Sequence, residues 1–497
     1  MKSTWSAGWR SPGYFEAAEI ASMRGDASGA LALLDHSLEA NALNIRALIL
    51  KAALGDRDDA ALAKIDPLEV PGAPVGPNDY LEMAAEAMQA GCWAQGQATL
   101  QAWLNTEKNP ANISPLAYYY MAYFARQLNH PADAIEYSKR AAAMPVDYVF
   151  PFQREAVDVL ESAMRDNPND SHAAYYLGNL LFDWQPQRAV ELWEKSVALG
   201  ADFPVVYRNL ANYYTRNGNA EKALAYLEKA AQLGGNAMVF NDLDALYEKN
   251  HIAPDKRLAM MESHQQVLDR DDVISREINL KIFAGKADDA LNLLGARFFH
   301  VWEGSGQYAV GDSWTNAKLE RGRQELAAGK FADALADFQA ATVLPDNLIE
   351  ATIPTARSPE INYWIGMAYA GLGDKDKATQ SWQASTGGTA PAAAAGRGRG
   401  RGGFGRGGVL AAGTRVIDAV PYYQALAFQK LGQDDKARAI FQKLAQTSGS
   451  TADNHYVAGL GHLGLGENDK AREEFGLAIK ASPDHLGAAT ALQSIGQ

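Results

Sequence analysis

Along "VYRNLANYYTRNGNAEKALAYLEKAAQLGG" (206–235), apolar residues return every three or four positions, stop at Gly218-Asn219, and resume at Ala223 with the same spacing. That periodicity predicts two helices, each with one apolar face, joined by a tight turn. Laid over "NYWIGMAYAGLGDKDKATQSWQAS" (362–385), the segment places Leu210 on Ile365, Ala211 on Gly366, Tyr214 on Tyr369, Gly218 on Gly373, Ala223 on Ala378 and Leu227 on Trp382. A Gly or Ala on the first helix and an Ala on the second let two backbones approach closely, and a large residue four positions later fills the space beside them. The second half recurs as Ala334 with Phe338, Ala437 with Phe441, and Ala471 with Phe475, Ala478 and Pro483. Toward the N-terminus it recurs as Gly25 with Ala30, Gly91 with Leu100, Ala134 with Ala141, Ala189 with Trp193, and Gly285 with Ala290. Roughly twelve such units, some degenerate, fill the chain.

This spacing resembles the tetratricopeptide repeat (TPR), whose pattern is large-x2-L-G-x2-Y, then A-x3-F, then P, over about 34 residues. The resemblance implies an all-α fold, a TPR-type α-solenoid wound as a right-handed superhelix of helix-turn-helix repeats that share one core. Three stretches break the period. "PVDYVFPFQREAVDVLESAMRDNPND" (145–170) adds a helix near 151–166, an aromatic loop lies near 296–314, and residues 386–418 are rich in Ala, Gly and Arg. The expected organisation is a solenoid over 1–385, a disordered insertion over 386–418, and C-terminal TPR units over 419–497 that continue the same stack.

Composition narrows the partners. With 59 acidic against 46 basic residues the net charge is -13, which repels nucleic acid and anionic membrane over most of the surface. Cys92 is the one cysteine, so an intrachain disulfide and a cysteine zinc cluster are excluded. No apolar run approaches the roughly 20 residues of a membrane helix, and "MKSTWSAGWRSPGYF" lacks the apolar region of a signal peptide. The expectation is a cytoplasmic protein without a membrane segment, although a chain starting so close to its first helix also fits the tail of a longer protein.

Enzyme motifs are missing. HExxH, GxSxG and clustered histidines do not occur, and Gly285-Lys286 and Gly329-Lys330 lack the preceding glycine of a phosphate loop, so both pairs read as repeat turns. No catalytic residue, metal ligand or cofactor is assigned. The run "GRGRGRGGFGRGG" (396–408) is the exception to the acidic surface, and Arg397, Arg399, Arg401, Phe404 and Arg406 offer phosphate contacts and stacking to RNA. That is the weakest of the functional readings, because an unstructured loop between repeats explains the same composition.

Two further sets carry the binding expectation. Leu177 and Leu210 are equivalent, which makes Tyr175 equivalent to Arg208 and Asn179 to Asn212, in each helix a pair at i and i+4 on one face. In TPR proteins these positions face the concave groove, so the resemblance implies that Tyr175, Asn179, Arg208 and Asn212 form a polar patch for an extended peptide. The chaperone-type carboxylate clamp places Lys where this chain has Tyr175, so chaperone tails are not the expected ligand. In "ARFFHVWEGSGQ" (296–307), either the aromatics plug the solenoid where two repeats meet, with His300 and Glu303 satisfied locally, or Phe298 and Phe299 anchor the loop while His300, Trp302 and Glu303 point outward. Glu303 as a catalytic acid would need a second carboxylate within about 5–10 Å, and Asp312 is the nearby candidate. The order of unusual segments, "DYVFPFQREAVDVLE", "NPNDSHAAYYLGNLLFD", "AVELWEKSVALGADFPVVYRNLANYY", "RFFHVWEGSG" and "GKFADALADFQAATVLPDNL", also resembles the helical C-terminal part of bacterial proteins with a galactose-mutarotase-like β-rich N-terminal region. The leading expectation is therefore a non-enzymatic TPR scaffold that binds a protein or peptide partner through its concave face and the aromatic loop. The alternative is the helical part of a carbohydrate-active protein whose mutarotase-like domain is absent from this chain.

Overall fold

The computed structural model describes residues 4, 6–55, 77–299, 310–348, 357–387 and 419–495. Every regular element among them is helical, and successive helices form antiparallel pairs. The pairs divide between two compact units, Met1–Leu233 and Gly234–Gln497. In the first, Ala7–Met23 pairs with Ala27–Ala40, Pro115–Gln127 with Pro131–Ala142, Ser171–Leu181 with Pro186–Ala198, and Pro204–Arg216 with Ala220–Gln232. In the second, Val310–Ala327 pairs with Phe331–Ala340, Ser358–Gly371 with Lys375–Thr386, Val420–Lys430 with Asp434–Ala445, and Ala452–Gly464 with Asn468–Ala481. The helix Val420–Lys430 packs directly on Ser358–Gly371 and Lys375–Thr386, so the repeats on either side of the Ala/Gly/Arg-rich stretch are spatial neighbours.

The small residue on the first helix admits the large residue of the second. A Cβ added at Gly178 would sit 2.5 Å from Trp193, at Gly322 2.5 Å from Phe338, at Gly366 2.4 Å from Trp382, and at Gly459 2.5 Å from Phe475. Where the first helix carries Ala211 instead, the partner shrinks to Leu227, and both are buried. Filling that slot matters, because truncating a buried Phe to Ala costs about 3–5 kcal/mol. Turns are set as locally: Gly218 at φ 74° and Gly373 at φ 81° occupy the left-handed region, and the next residues cap the second helix. The Asn219 side chain accepts from the Lys222 amide at 3.1 Å and that of Asp374 from the Lys377 amide at 3.1 Å.

The helix expected near 151–166 is Ala156–Asp166, lodged between Pro115–Gln127 and Ser171–Leu181. The stretch before it leaves Tyr148, Phe150 and Phe152 exposed, with Tyr148 at φ 59°. In the second unit the beginning and end of the stack meet. Arg257 donates to both Asp244 carboxylate oxygens at 2.8 and 3.0 Å and to Asp484 at 3.0 Å, while Arg276 binds Asp244 and Glu248 at 2.9 and 2.8 Å. Leu486, at the start of the last helix Leu486–Ile495, packs on the cluster containing Ile274, Ile278 and Phe299.

Candidate functional site

In the first unit the expected groove patch is divided. Tyr175 is buried, with its ring 5.0 Å from that of Phe203 at 62°, and burial raises its hydroxyl above the ordinary tyrosine value. Asn179 is half-buried, and its side-chain oxygen accepts from Trp193 Nε1 at 3.0 Å and from Asn209 at 3.1 Å. The expectation of four outward polar groups is therefore corrected at Tyr175, whose ring is met by Phe203 from the neighbouring segment. Arg208 and Asn212 are half-buried on Pro204–Arg216. His300, Trp302 and Glu303 lie outside the described residues, as do Arg397, Arg399, Arg401, Phe404 and Arg406. Of the two Phe residues expected to anchor the aromatic loop, Phe299 is buried and takes a backbone bond from its amide to Asn347 O at 3.2 Å, whereas Phe298 is exposed.

The same two registers, followed into the second unit, converge on a cavity of about 330 Å³. Counting from the small residue of the first helix, Gly178, Gly322, Gly366, Ala425 or Gly459, Tyr363, Tyr422 and Tyr456 stand where Tyr175 stands in its repeat, and Arg323 stands where Asn179 does. All four line the cavity, together with Trp364 and Tyr423. The rings form one wall, Tyr363 lying 5.3 Å from Trp364 at 74° and 5.8 Å from Tyr423 at 48°. Gly322, Gly366 and Gly459 draw the second helices in behind this wall, which holds the first helices side by side. Burial pushes the Tyr363 hydroxyl up to about 12 and that of Tyr423 well above its ordinary value, so these rings stay neutral donors near neutral pH.

Polar groups complete the lining. Arg357 is buried and donates to Glu360 Oε2 at 3.0 and 2.8 Å and to Asn316 at 2.7 Å. Arg323 donates to Glu320 and lies with its guanidinium 5.8 Å from the Trp364 ring centre. Two guanidinium groups facing two carboxylates leave these pairs without net charge. Two buried donors remain without a partner, Arg323 Nε and Trp364 Nε1. An unmade buried hydrogen bond costs about 1–3 kcal/mol, so the cavity favours a guest that brings neutral acceptors to these N–H groups and apolar surface to the rings. Arg323, Tyr363, Tyr422 and Tyr456 are absent from the residues expected above, although each holds a fixed place beside the small residue of its first helix, Gly322, Gly366, Ala425 and Gly459.

Among the described residues no three His, Cys, Asp or Glu side chains are placed to hold a metal ion, and no helix is long and apolar enough to cross a membrane.

Comparison with known proteins agrees on the repeat. A tetratricopeptide-repeat model matches residues 206–233 and 359–383, which coincide with the helix pairs beginning at Pro204 and Ser358. Among solved structures, the chain is similar to yeast Tom70 at 10% identity over 99% of this chain and 96% of that one, with a TM-score of 0.29. It is also similar to YrrB, described as a TPR protein with an unusual peptide-binding site, at 16% identity over 46% of this chain and 91% of that one, with a TM-score of 0.25. A tetratricopeptide repeat protein from Parabacteroides merdae matches at 13% identity over 59% and 98%, with a TM-score of 0.23. The fold rests on the helix pairs and their glycine-to-aromatic interlock, not on these likenesses.

Proposed function

We propose that this chain is a non-catalytic interaction scaffold that takes an extended, uncharged peptide segment of a partner protein across the first helices of its second unit. A bulky apolar side chain of the segment enters the cavity, and its backbone carbonyls accept from Arg323 Nε and Trp364 Nε1. The observation that carries the reading is the convergence of two repeat registers, from successive repeats, on a cavity with two buried unpartnered donors. The balanced charge of the Arg–Glu pairs favours an internal peptide segment over a chain terminus, because a net charge in this setting would lose its hydration without an opposite charge to meet it.

A panel of capped peptides, each with one central Phe, Leu, Lys or Glu, tests this by fluorescence of the full chain. Peptides with Phe or Leu should bind and those with Lys or Glu should not, and Tyr423→Ala should abolish the response while preserving helical circular dichroism. Binding that ignores the central residue, or that survives Tyr423→Ala unchanged, would overturn the reading.

The same walls support a second reading. Aromatic faces beside guanidinium, carboxylate and amide groups also suit a pyranose ring, which would fit the chain as the helical arm of a sugar-processing protein with a mutarotase-like domain. Saturable tryptophan quenching by neutral oligosaccharides, lost in Trp364→Phe, distinguishes it from peptide binding.

A further inference from the structure

Between Pro131–Ala142 and Ala156–Asp166 the chain alternates in exposure from Tyr148 to Gln153. Val149, Pro151 and Gln153 are buried, whereas Tyr148, Phe150 and Phe152 are 92%, 72% and 60% exposed. All three rings line one cavity of about 950 Å³ in the first unit, together with Pro110, Met144 and Asp147. Tyr148, at φ 59°, begins the row, and Phe150 and Phe152 continue it at a period of two residues. Three large rings held side by side in water form an apolar patch of the kind that marks an interaction surface.

Charge narrows the partner. Asp147 is exposed, and no Lys, Arg or His among the described residues lines the cavity beside it. Aromatic faces next to an unneutralised carboxylate repel phosphates and carboxylates and attract an organic cation. A guanidinium suits them better than an ammonium, because it is flat, stacks on rings and holds its hydration weakly. The chain itself carries a segment of that chemistry. Within "GRGRGRGGFGRGG" (396–408), Arg397, Arg399 and Arg401 also recur at a period of two, and no acidic residue occurs between Asp376 and Asp418. In an extended chain alternate side chains share one side at a repeat of about 6–7 Å, and the intervening glycines bring no side chain to hold the backbones apart.

We propose that the Arg–Gly run of a second copy of this chain docks on the ridge, its three guanidinium groups stacking on Tyr148, Phe150 and Phe152 beside the Asp147 carboxylate. The contact is head to tail, since the ridge of one copy takes the run of the next.

Sedimentation of the full chain tests this with two variants, each checked for helical circular dichroism. Tyr148→Asn/Phe150→Ser removes the ridge, and asparagine tolerates the positive φ at the first position. Arg397→Ser/Arg399→Ser/Arg401→Ser removes the run, whose flanking helices Lys375–Thr386 and Val420–Lys430 pack directly on each other. The average mass of the parent protein should rise with concentration, and each variant alone should stay monomeric. An equal mixture of the two should associate again, because one supplies the run and the other the ridge. If the ridge variant loses its helicity, Phe152→Ser takes its place. By fluorescence anisotropy, a labelled peptide of residues 396–408 should bind the run-deficient variant saturably. Its affinity should exceed by at least about threefold that of a lysine-for-arginine peptide, of a same-composition peptide with three arginines contiguous, and of a neutral proline-rich peptide. A parent that stays monomeric, association that survives either variant, a mixture that fails to associate, or equal binding of any control peptide would overturn the proposal.

Discussion

Gly366→Ala places one methyl group against a fixed indole. The new Cβ would lie 2.4 Å from Trp382 Nε1, 2.6 Å from Cδ1 and 3.0 Å from Cε2, against an ordinary contact of about 3.4–4 Å. The helices must part by about 1 Å or the indole must leave its slot, and overpacking of this kind costs about 1–3 kcal/mol. Replacing a helical glycine by alanine returns about 1 kcal/mol of backbone entropy, so the net loss should be about 0–2 kcal/mol. Trp382→Leu alone should also destabilise, by leaving the slot part-empty. The repeat at 206–232 already shows the solution, Ala211 with Leu227, so the double variant Gly366→Ala/Trp382→Leu should recover much of both losses. A double-mutant cycle should give a favourable coupling of at least about 1 kcal/mol. Amide hydrogen exchange across 358–386 reads the local stability directly, which suits a stack whose repeats need not unfold together. Additivity of the two substitutions within about 0.5 kcal/mol would refute the interlock as the reason for glycine at this position.

Three further outcomes are expected. Asp244→Asn should cost about 3–5 kcal/mol in urea melts, because it leaves Arg257 and Arg276 buried with a weakened counter-charge, whereas an exposed pair would cost under about 1 kcal/mol. Burial, opposed by Arg46, holds the Glu19 carboxyl up at about 7, so the folded chain keeps its proton where the unfolded chain has lost it. This stability is fully present below about 4.5 and is lost as pH rises to about 7, so Glu19→Gln should gain on the parent protein across that window in thermal melts, and a constant difference would refute it. Gly218→Ala at φ 74° should cost about 1–2 kcal/mol, while the same change at exposed Gly476 inside Asn468–Ala481 should stabilise by up to about 1 kcal/mol; a shared sign in urea melts would contradict the conformational argument.

The paired helices, their turns and the small-to-large interlock were legible because each is written within about 30 residues and repeated. The cavity residues Arg323, Tyr363, Tyr422 and Tyr456 recur at fixed places in their repeats, but no local pattern marked them off from the other copies. What sequence could not convey was which copies of that register stay open. Phe203 covers Tyr175 and Trp193 engages Asn179, and neither approach follows from periodicity, since each depends on how one repeat leans on the next. Long-range polar contacts left no trace at all. Nothing local to Arg257 announces Asp484, and nothing near Gln153 announces Glu82, 71 positions earlier.

The bond between Arg257 and Asp484 spans 227 positions. Most stacks of this kind can gain or lose a module at little cost, since each new copy needs only its neighbour. Here the number of modules is fixed by closure: duplicating or excising one helix pair between these residues would rotate and shift one partner away from the other, strand a buried guanidinium, and unseat Leu486 from its apolar bed. The second unit is therefore a counted object, and its gene segment should tolerate substitutions far better than it tolerates a change in copy number.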